Sequence, residues 1–145
     1  MCLYTYTNRK KASEDFIVYK RFEIRTERGE IYNFRAPDEK LYLSSPMRDY
    51  IWRTREGHPT VKVKQVDGHV EEGYHSHSTL EEAWEQGYHD EIIVECIVPK
   101  GSQYYESGNH IVASNIVITE NYVHNTHFEQ HYPTPVVVEA FENLK

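Results

Sequence analysis

The sequence is poor in the residues that would staple or anchor a chain. Its two cysteines, Cys2 and Cys96, are too few for a disulfide framework and too far apart for a paired thiolate metal site. Its longest apolar runs, such as Ile92-Ile93-Val94, fall far short of the roughly 18 residues that cross a bilayer. The first residues lack the basic flank and apolar core of a signal peptide. We therefore expect a cytoplasmic protein without a membrane partner, in which Cys96 is a small buried core residue.

Basic residues are nearly absent from the second half of the chain. Residues 1–64 hold fourteen Lys or Arg and nine Asp or Glu, whereas residues 65–145 hold two and fourteen. Eight of the nine histidines also lie in the second half. The net charge of −7 argues against general nucleic-acid binding, although the first half can hold a local phosphate site. This uneven charge distribution is compatible with a head-to-tail homo-oligomer. If folding interleaves the two halves, their electrostatic fields largely cancel instead.

The remaining composition is that of one folded domain over residues 1–145. The apolar fraction of 39% and the charged fraction of 27% are typical of globular proteins, and no repeat or linker divides the chain. Alternating and β-branched stretches predict strands. They lie at residues 16–25, 30–34, 61–66, 69–72, 91–98, 103–106, 111–113 and 115–119. The strand at 91–98 is apolar on both faces apart from Glu95, which predicts a central position in the sheet. The sequence thus predicts an α+β fold, a mostly antiparallel sheet with one or two short helices.

Local signals mark the turns, the helix and the two ends of the chain. Asp67-Gly68 is typical of a two-residue hairpin. Ser78 or Thr79 can cap a short helix over residues 78–87, because each has a glutamate three residues later, and Gly87 fits its end. Residues 1–14 are interpreted as an irregular arm, and residues 36–59 as a loop with one short element near 49–53. The tail, residues 134–145, is predicted as a strand at 136–138 that runs into a helical end.

Several short motifs lie in residues 73–118 and near the N-terminus. They are Gly73-Tyr74-His75-Ser76, Leu80-Glu81-Glu82-Ala83, residues 94–105, residues 112–116, Met1-Cys2-Leu3 and Val18-Tyr19-Lys20. This pattern resembles a family of small uncharacterised proteins of bacteriophages and gut bacteria; it does not extend to residues 26–70 or beyond Ile118. The resemblance implies a phage context and an α+β fold, and no activity. Members of the family carry an aromatic residue at the position of His77, which argues against a site built on His75 and His77.

Two histidine patterns raise the question of catalysis or metal binding. His75-Ser76-His77 on an extended segment places both imidazoles on one face, a spacing that metals use. No thiolate partner accompanies it, and the sequence predicts neither a bound metal nor a cofactor. The motifs His77-Ser78-Thr79 and His124-Asn125-Thr126 match a two-histidine phosphoesterase, in which one histidine is the base and one the acid. Helix capping explains Thr79 more simply.

An ADP-ribosyltransferase-like, NAD-binding enzyme is the main enzymatic alternative. Such proteins carry Arg or His on one strand, Ser-Thr-Ser at the end of another, and a catalytic Glu on a third. Tyr19-Lys20-Arg21, residues 75–79 and Glu120 follow that order. Glu120 lies in no catalytic loop that the sequence reveals, and the balance of the sequence favours a protein that is not an enzyme.

A non-catalytic binder is the interpretation that we carry forward. The sequence has twelve tyrosines, several beside basic residues, and this combination suits a nucleotide through stacking and phosphate pairing, or a protein interface. The sequence therefore predicts a phage-type accessory protein in the host cytoplasm. Its partner is a small nucleotide signal or a host defence protein. The candidate ligand-binding residues are Tyr19, Lys20, Arg21, His75, Tyr104 and Tyr105.

Overall fold

The computed structural model describes residues 3–27, 31–35, 51–52, 60–70, 72–85, 91–124 and 132–144. These residues form twelve strands and two helices. The strands are β1 (Leu3–Tyr4), β2 (Lys10–Lys11), β3 (Phe16–Glu27), β4 (Ile31–Arg35), β5 (Ile51–Trp52), β6 (Gln65–Val66), β7 (His69–Val70), β8 (Tyr74–His77), β9 (Glu91–Val98), β10 (Gln103–Ser107), β11 (His110–Ala113) and β12 (Val117–His124). The helices are α1 (Leu80–Glu85) and α2 (Thr134–Glu142). The chain is an α+β protein that is mostly antiparallel sheet, as predicted.

The large sheet is centred on β3 and β9. Its strand order is β12-β9-β3-β8-β11-β10-β2, and β4 pairs with both β3 and β5. β9 lies between β3 and β12, and its residues are buried except for Glu95 and Ile97, which are half-buried. This confirms the central strand predicted from its nearly continuous apolar run.

One face of the large sheet carries the main hydrophobic core. Cross-strand partners lie on the same face, and Val18 faces Cys96 while Phe22 faces Ile92; all four are fully buried. α2 covers this face through Val137, Ala140, Phe141 and Leu144, which recur at helical spacing. The Phe141 ring contacts Phe34 at 4.8 Å and Tyr122 at 5.4 Å between ring centroids. Cys96 is a buried core residue, as predicted.

A small sheet of order β1-β7-β6 forms a second centre of packing. Leu3, Val63 and Val70 pack there against Tyr105 and Val112 of the large sheet. The β6–β7 hairpin confirms the prediction from Asp67-Gly68, because φ is +51° at Asp67 and +83° at Gly68. Two successive positive φ angles are the geometry of the type I′ turn that favours this dipeptide.

Two predictions at the N-terminal side were wrong. Residues 1–14 are not an irregular arm throughout, since Leu3–Tyr4 pairs with β7 and Lys10–Lys11 pairs with β10. Both strands have two residues and distant partners, so the local sequence carries no periodicity that reveals them. The strand predicted over residues 61–66 forms only at Gln65–Val66, and Val61 instead donates its amide to the Ser114 carbonyl at 3.0 Å.

The tail is helical from its start, so the predicted strand at 136–138 was also wrong. Pro133 lies at the N-cap and Pro135 in the first turn, where the missing amide of proline costs no hydrogen bond. The β-branched run at 136–138 favours a strand locally, but burying one helical face of α2 on the core overrides this preference.

Several predictions fall outside the described residues. They concern Cys2, residues 28–30, 36–50 and 53–59, Gly87, Asn125 and Thr126, and the histidines beyond His124. Among the helices that the structure describes, neither has the length and apolar character needed to cross a bilayer.

Candidate functional site

The face of the large sheet opposite the α2 core carries polar residues in line across four neighbouring strands. His110 on β11 faces His77 on β8, His77 faces Tyr19 on β3, and Tyr19 faces Glu95 on β9. Directly opposed residues project from the same side of a sheet, so these four side chains form one line, which we call the polar row. His77 is buried, whereas His110, Tyr19 and Glu95 are half-buried. The row is therefore closed to solvent at His77 and partly accessible to solvent at its other three residues.

Histidines occupy one end of the polar row. His75 lies two residues before His77 on β8 and shares its face, as the His75-Ser76-His77 spacing predicted. The His75 Nδ1 and His110 Nε2 atoms are 3.1 Å apart, and the His77 ring stacks on His110 with centroids 5.3 Å apart. One of the two facing nitrogens donates and the other accepts, depending on the tautomers. Of the three imidazoles, His110 is half-buried, whereas His75 and His77 are buried.

A carboxylate occupies the other end of the polar row. The Glu95 Oε2 atom accepts a hydrogen bond from the Asn121 side-chain amide at 2.7 Å. The Thr119 hydroxyl donates to the backbone carbonyl of Glu95 at 2.7 Å. Both partners belong to β12, next to the irregular register between Ile118 and Tyr122. This irregularity directs the two polar side chains of the edge strand toward Glu95, which they hold in a fixed position.

A cleft of about 110 Å³ opens over the Tyr19 and Glu95 end of the row. Leu80, at the start of α1, forms one wall, and Ile93 and Val123 form apolar parts of the lining. α1 reaches this position because it follows β8 after two residues and packs against β3, β8 and β9. The cleft thus offers an aromatic ring, a carboxylate and apolar walls, and it is smaller than the sites that enclose a whole drug-sized ligand.

A buried ion pair lies beside the row. The Arg21 Nη1 and Glu91 Oε2 atoms are 3.4 Å apart, and the two side chains are 3% and 2% exposed. Arg21 lies two residues after Tyr19 on β3, so its side chain leaves the same face of the sheet. Burying two charges is tolerated only when they pair closely, so this contact fixes the start of β9 against the middle of β3.

The structure brings three of the six predicted site residues together. Tyr19, Arg21 and His75 share the face of the polar row, as their register shows. Lys20 projects from the other face, where it is 1% exposed and its Nζ donates to the His75 carbonyl at 2.6 Å. Its ammonium group also lies 5.8 Å from the centre of the Phe22 ring. Lys20 therefore links β3 to β8 on the core side of the sheet.

The two predicted tyrosines of β10 lie away from the row and on opposite faces. Tyr104 packs on Phe16, with ring centroids 5.1 Å apart. Tyr105 faces Val112 and is buried in the cluster beneath the small sheet. Strand alternation separates adjacent residues in this way, so two neighbouring tyrosines on a strand do not form one stacking surface.

Sequence reasoning missed the remaining members of the row as a group. Glu95 was noted only as the polar exception in a buried strand, and His110 only as one of several histidines. Asn121 and Thr119 carried no signal, because their role depends on the bulge in β12. A polar residue inside an otherwise apolar central strand is the one signal that could have identified Glu95, since such a residue needs a polar partner or a ligand.

The Ser-Thr pair before α1 has a structural role. The Thr79 hydroxyl accepts a hydrogen bond from the Glu82 amide at 3.3 Å, the contact of an N-cap residue, and Ser78 Oγ donates to Asn109 Oδ1 instead. This confirms the predicted capping and assigns it to Thr79.

We expect Thr79→Ala to lower the free energy of unfolding by about 1 kcal/mol, the usual contribution of an N-cap. Ser78→Ala is the matched control, because it removes the same hydroxyl from the neighbouring residue and leaves the cap intact. Urea denaturation of both variants measures the difference. Equal losses in the two variants would show that the cap at Thr79 does not stabilise α1.

Among the described residues, the structure does not bring together those that either enzymatic template requires. His124 faces Ile92 on the core side of the sheet, opposite to His77, so the two His-x-Thr motifs do not converge on one face. Glu120 is exposed on β12, and Glu95, not Glu120, stands in line with Tyr19 and His77. In the part of the chain that the structure describes, no group of three or more His, Cys, Asp or Glu is arranged to hold a metal ion.

Comparison with known proteins found no relative of this chain. No protein-family model, no curated protein and no solved structure matches this chain. The class of the protein therefore rests on its own fold, α+β and mostly antiparallel sheet.

Proposed function

We propose that this chain is a phage-type accessory protein that binds and sequesters a small nucleotide along the polar row, without turning it over. The observation that carries the proposal is the alignment of His110, His77, Tyr19 and Glu95 across four neighbouring strands. The resemblance of residues 73–118 to phage proteins supports the accessory role and a host-cytoplasmic location. A host defence protein is the other partner that we considered.

The chemistry of the row changes along its length in the same order as a nucleotide. Tyr19 offers a ring face on which a base can stack, and the fixed carboxylate of Glu95 can accept the amino hydrogens of a base. The half-buried His110, which contacts the buried His75 and His77, offers a nitrogen donor for a phosphate at the other end. Acceptor and donor ends on one surface fit a ligand with an amine-bearing ring and an anionic tail.

The dimensions of the row agree with this orientation. Neighbouring strands are roughly 4.8 Å apart, so His110 and Glu95 are separated by about 14 Å, three strand spacings. The cleft beside Tyr19 and Glu95 takes one ring of the ligand, and the rest of the ligand lies along the row toward the histidines. A ligand held in this way crosses β9, β3, β8 and β11 and contacts each of them.

We expect at least one member of a panel of NAD, ADP-ribose and cyclic nucleotides to stabilise the protein in a thermal-shift assay. A ligand at a hundredfold excess over its Kd stabilises by about 2.7 kcal/mol, which raises the Tm of a chain of this size by roughly 5–10 °C. Tyr19→Ala should weaken binding roughly tenfold or more, since stacking of a base on an aromatic ring contributes about 1–3 kcal/mol. His110→Ala should weaken the binding of these phosphate-bearing ligands and leave that of adenosine, which has no phosphate, unchanged.

Two exposed residues outside the row provide controls for these variants. Gln103→Ala on β10 and Glu139→Ala on α2 remove exposed polar side chains elsewhere and should leave the affinity unchanged. Stabilisation by no member of the panel, or an affinity insensitive to both Tyr19→Ala and His110→Ala, would contradict the proposal. Consumption of NAD by the wild-type protein would favour the ADP-ribosyltransferase-like alternative instead. In that case Glu95→Gln and Glu120→Gln would identify the carboxylate that the reaction needs.

A further inference from the structure

Four exposed basic residues lie on two neighbouring segments of the chain. They are Arg9, Lys11, Lys62 and Lys64, and we call them the basic strip. The Arg9 Nη1 atom donates to the Val63 carbonyl at 3.5 Å, which joins the two segments. Buried Val61 and Val63 alternate with exposed Lys62 and Lys64, so the two lysines project outward on the same side. A chain with a net charge of −7 thus has a local positive surface.

Two exposed tyrosines continue this surface over the small sheet. Tyr4 is 53% and Tyr6 74% exposed, their hydroxyls are 2.8 Å apart, and their rings meet edge to face. Gly68 lies directly beneath them, where an added Cβ would come within 2.9 Å of Tyr6 Cζ. The glycine turn therefore supports both rings from below. Large exposed aromatic groups held in this way are typical of a binding surface.

A surface cleft joins Tyr4 to Lys64. It has a volume of about 670 Å³ and is also lined by Val66, Asp67, His69 and Glu72. Tyr4 faces His69 in the register of the small sheet, and their rings are 4.8 Å apart. One aromatic ring and one positive charge of this surface thus line the same cleft.

Positive and negative charges lie at different parts of this surface. Within the described part of the chain, no member of the strip forms an ion pair, whereas Lys10 projects from the other face of β2 and pairs with Glu106. Hydrogen bonding to Glu106 and its negative charge raise the pKa of Lys10, so Lys10 stays charged at neutral pH. Asp67 and Glu72 lie at the hairpin end of the cleft, beside the aromatic rings. Phosphates are therefore favoured along the strip and disfavoured at the rings, where uncharged bases fit.

We infer that the basic strip and its two tyrosines bind single-stranded nucleic acid. Cationic side chains that follow the phosphates, together with aromatic rings on which bases stack, are the features by which proteins hold single strands. A duplex keeps its bases stacked on each other, so it cannot use Tyr4 and Tyr6 in this way. The site is local and separate from the polar row, and it does not depend on the nucleotide proposal. General binding driven by total charge is still excluded by the acidic chain.

Fluorescence anisotropy of a labelled oligothymidylate of about 12 nucleotides tests this inference. Contact with four phosphates gives a slope of log K against log salt near −3, so affinity should fall roughly 50-fold between about 50 and 200 mM salt. Lys62→Gln/Lys64→Gln should reduce the magnitude of that slope by about 1.4. Tyr6→Ala should weaken binding roughly tenfold at any salt concentration.

Charge-matched and site-matched controls separate the strip from other surfaces. Arg25→Gln removes one exposed positive charge from β3, which is four strands away from β2 in the sheet, and should leave the affinity unchanged. Lys10→Gln removes a positive charge from the opposite face of β2 and should also leave the affinity unchanged. The inference is overturned if the oligonucleotide does not bind at low salt. It is equally overturned if polyglutamate competes as well as the oligonucleotide and Tyr6→Ala has no effect, which would indicate an acidic protein partner.

Discussion

Glu91→Gln is expected to lower the free energy of unfolding by about 3 kcal/mol or more, measured by urea denaturation. The substitution keeps the shape of the side chain and removes the carboxylate charge 3.4 Å from the Arg21 Nη1 atom. Both side chains are almost fully buried, so water cannot replace the lost interaction. A buried guanidinium that loses its carboxylate pays a desolvation cost that the pair had offset.

Two further variants distinguish a buried pair from a generally sensitive sheet. Glu23→Gln breaks an Arg–Glu pair on the same strand, with Arg25, whose side chains are 56% and 22% exposed, and should cost less than 1 kcal/mol. Arg21→Met/Glu91→Leu replaces both charges by apolar groups and should recover most of the stability lost in Glu91→Gln. A loss in Glu91→Gln no greater than that in Glu23→Gln would contradict a stabilising role for the buried pair.

The parts of the fold that were predictable are those with local causes. The nearly unbroken apolar run of β9 identified a central strand, and Asp67-Gly68 identified a hairpin because few other dipeptides accept two positive φ angles. The cap of α1 was likewise readable, since Thr79 and Glu82 are three residues apart. Each of these signals depends on neighbours within a few residues.

The polar row was not predictable because it depends on register between distant segments. His110 meets His77, and His77 meets Tyr19, only after β11, β8 and β3 have paired. A shift of one residue in any of these pairs would move a side chain to the other face of the sheet. The sequence could identify His75 and Tyr19 as candidates, but not their partners across the sheet.

Alternation along β3 explains why adjacent candidates have different roles. Lys20 and Arg21 look equivalent in the sequence, yet Lys20 is on the core side and Arg21 on the side of the polar row. β3 comes from the basic half of the chain and lies between β8 and β9 from the acidic half. The two halves are thus interleaved in the large sheet, and the charge split persists at the surface in the basic strip.

Gly73→Ala is expected to destabilise the protein by about 2–5 kcal/mol, the combined cost of overpacking and of a strained backbone. Gly73 has a φ of +141°, a conformation that other residues rarely adopt. A Cβ at this position would lie 2.5 Å from Val112 Cγ1 and 2.8 Å from Val63 Cγ1. Both valines belong to the buried cluster that joins the small sheet to the large one, so neither can move without disturbing that contact.

The glycine turns at residues 101 and 108 supply the control. Gly101 and Gly108 also have positive φ angles, but nothing lies within 4 Å of an added Cβ at either position. Gly101→Ala should therefore show only the backbone cost, about 1–2 kcal/mol. Gly73→Ala/Val112→Ala should recover part of the loss, because it removes the closest contact.

The position of Gly73 also links packing to the polar row. Since Val112 faces His75 in the register of β11 and β8, a displaced Val112 would also disturb the histidine end of the polar row. Gly73→Ala should then weaken nucleotide binding, whereas a loss equal to that of Gly101→Ala with unchanged binding would show that Gly73 is not required for close packing.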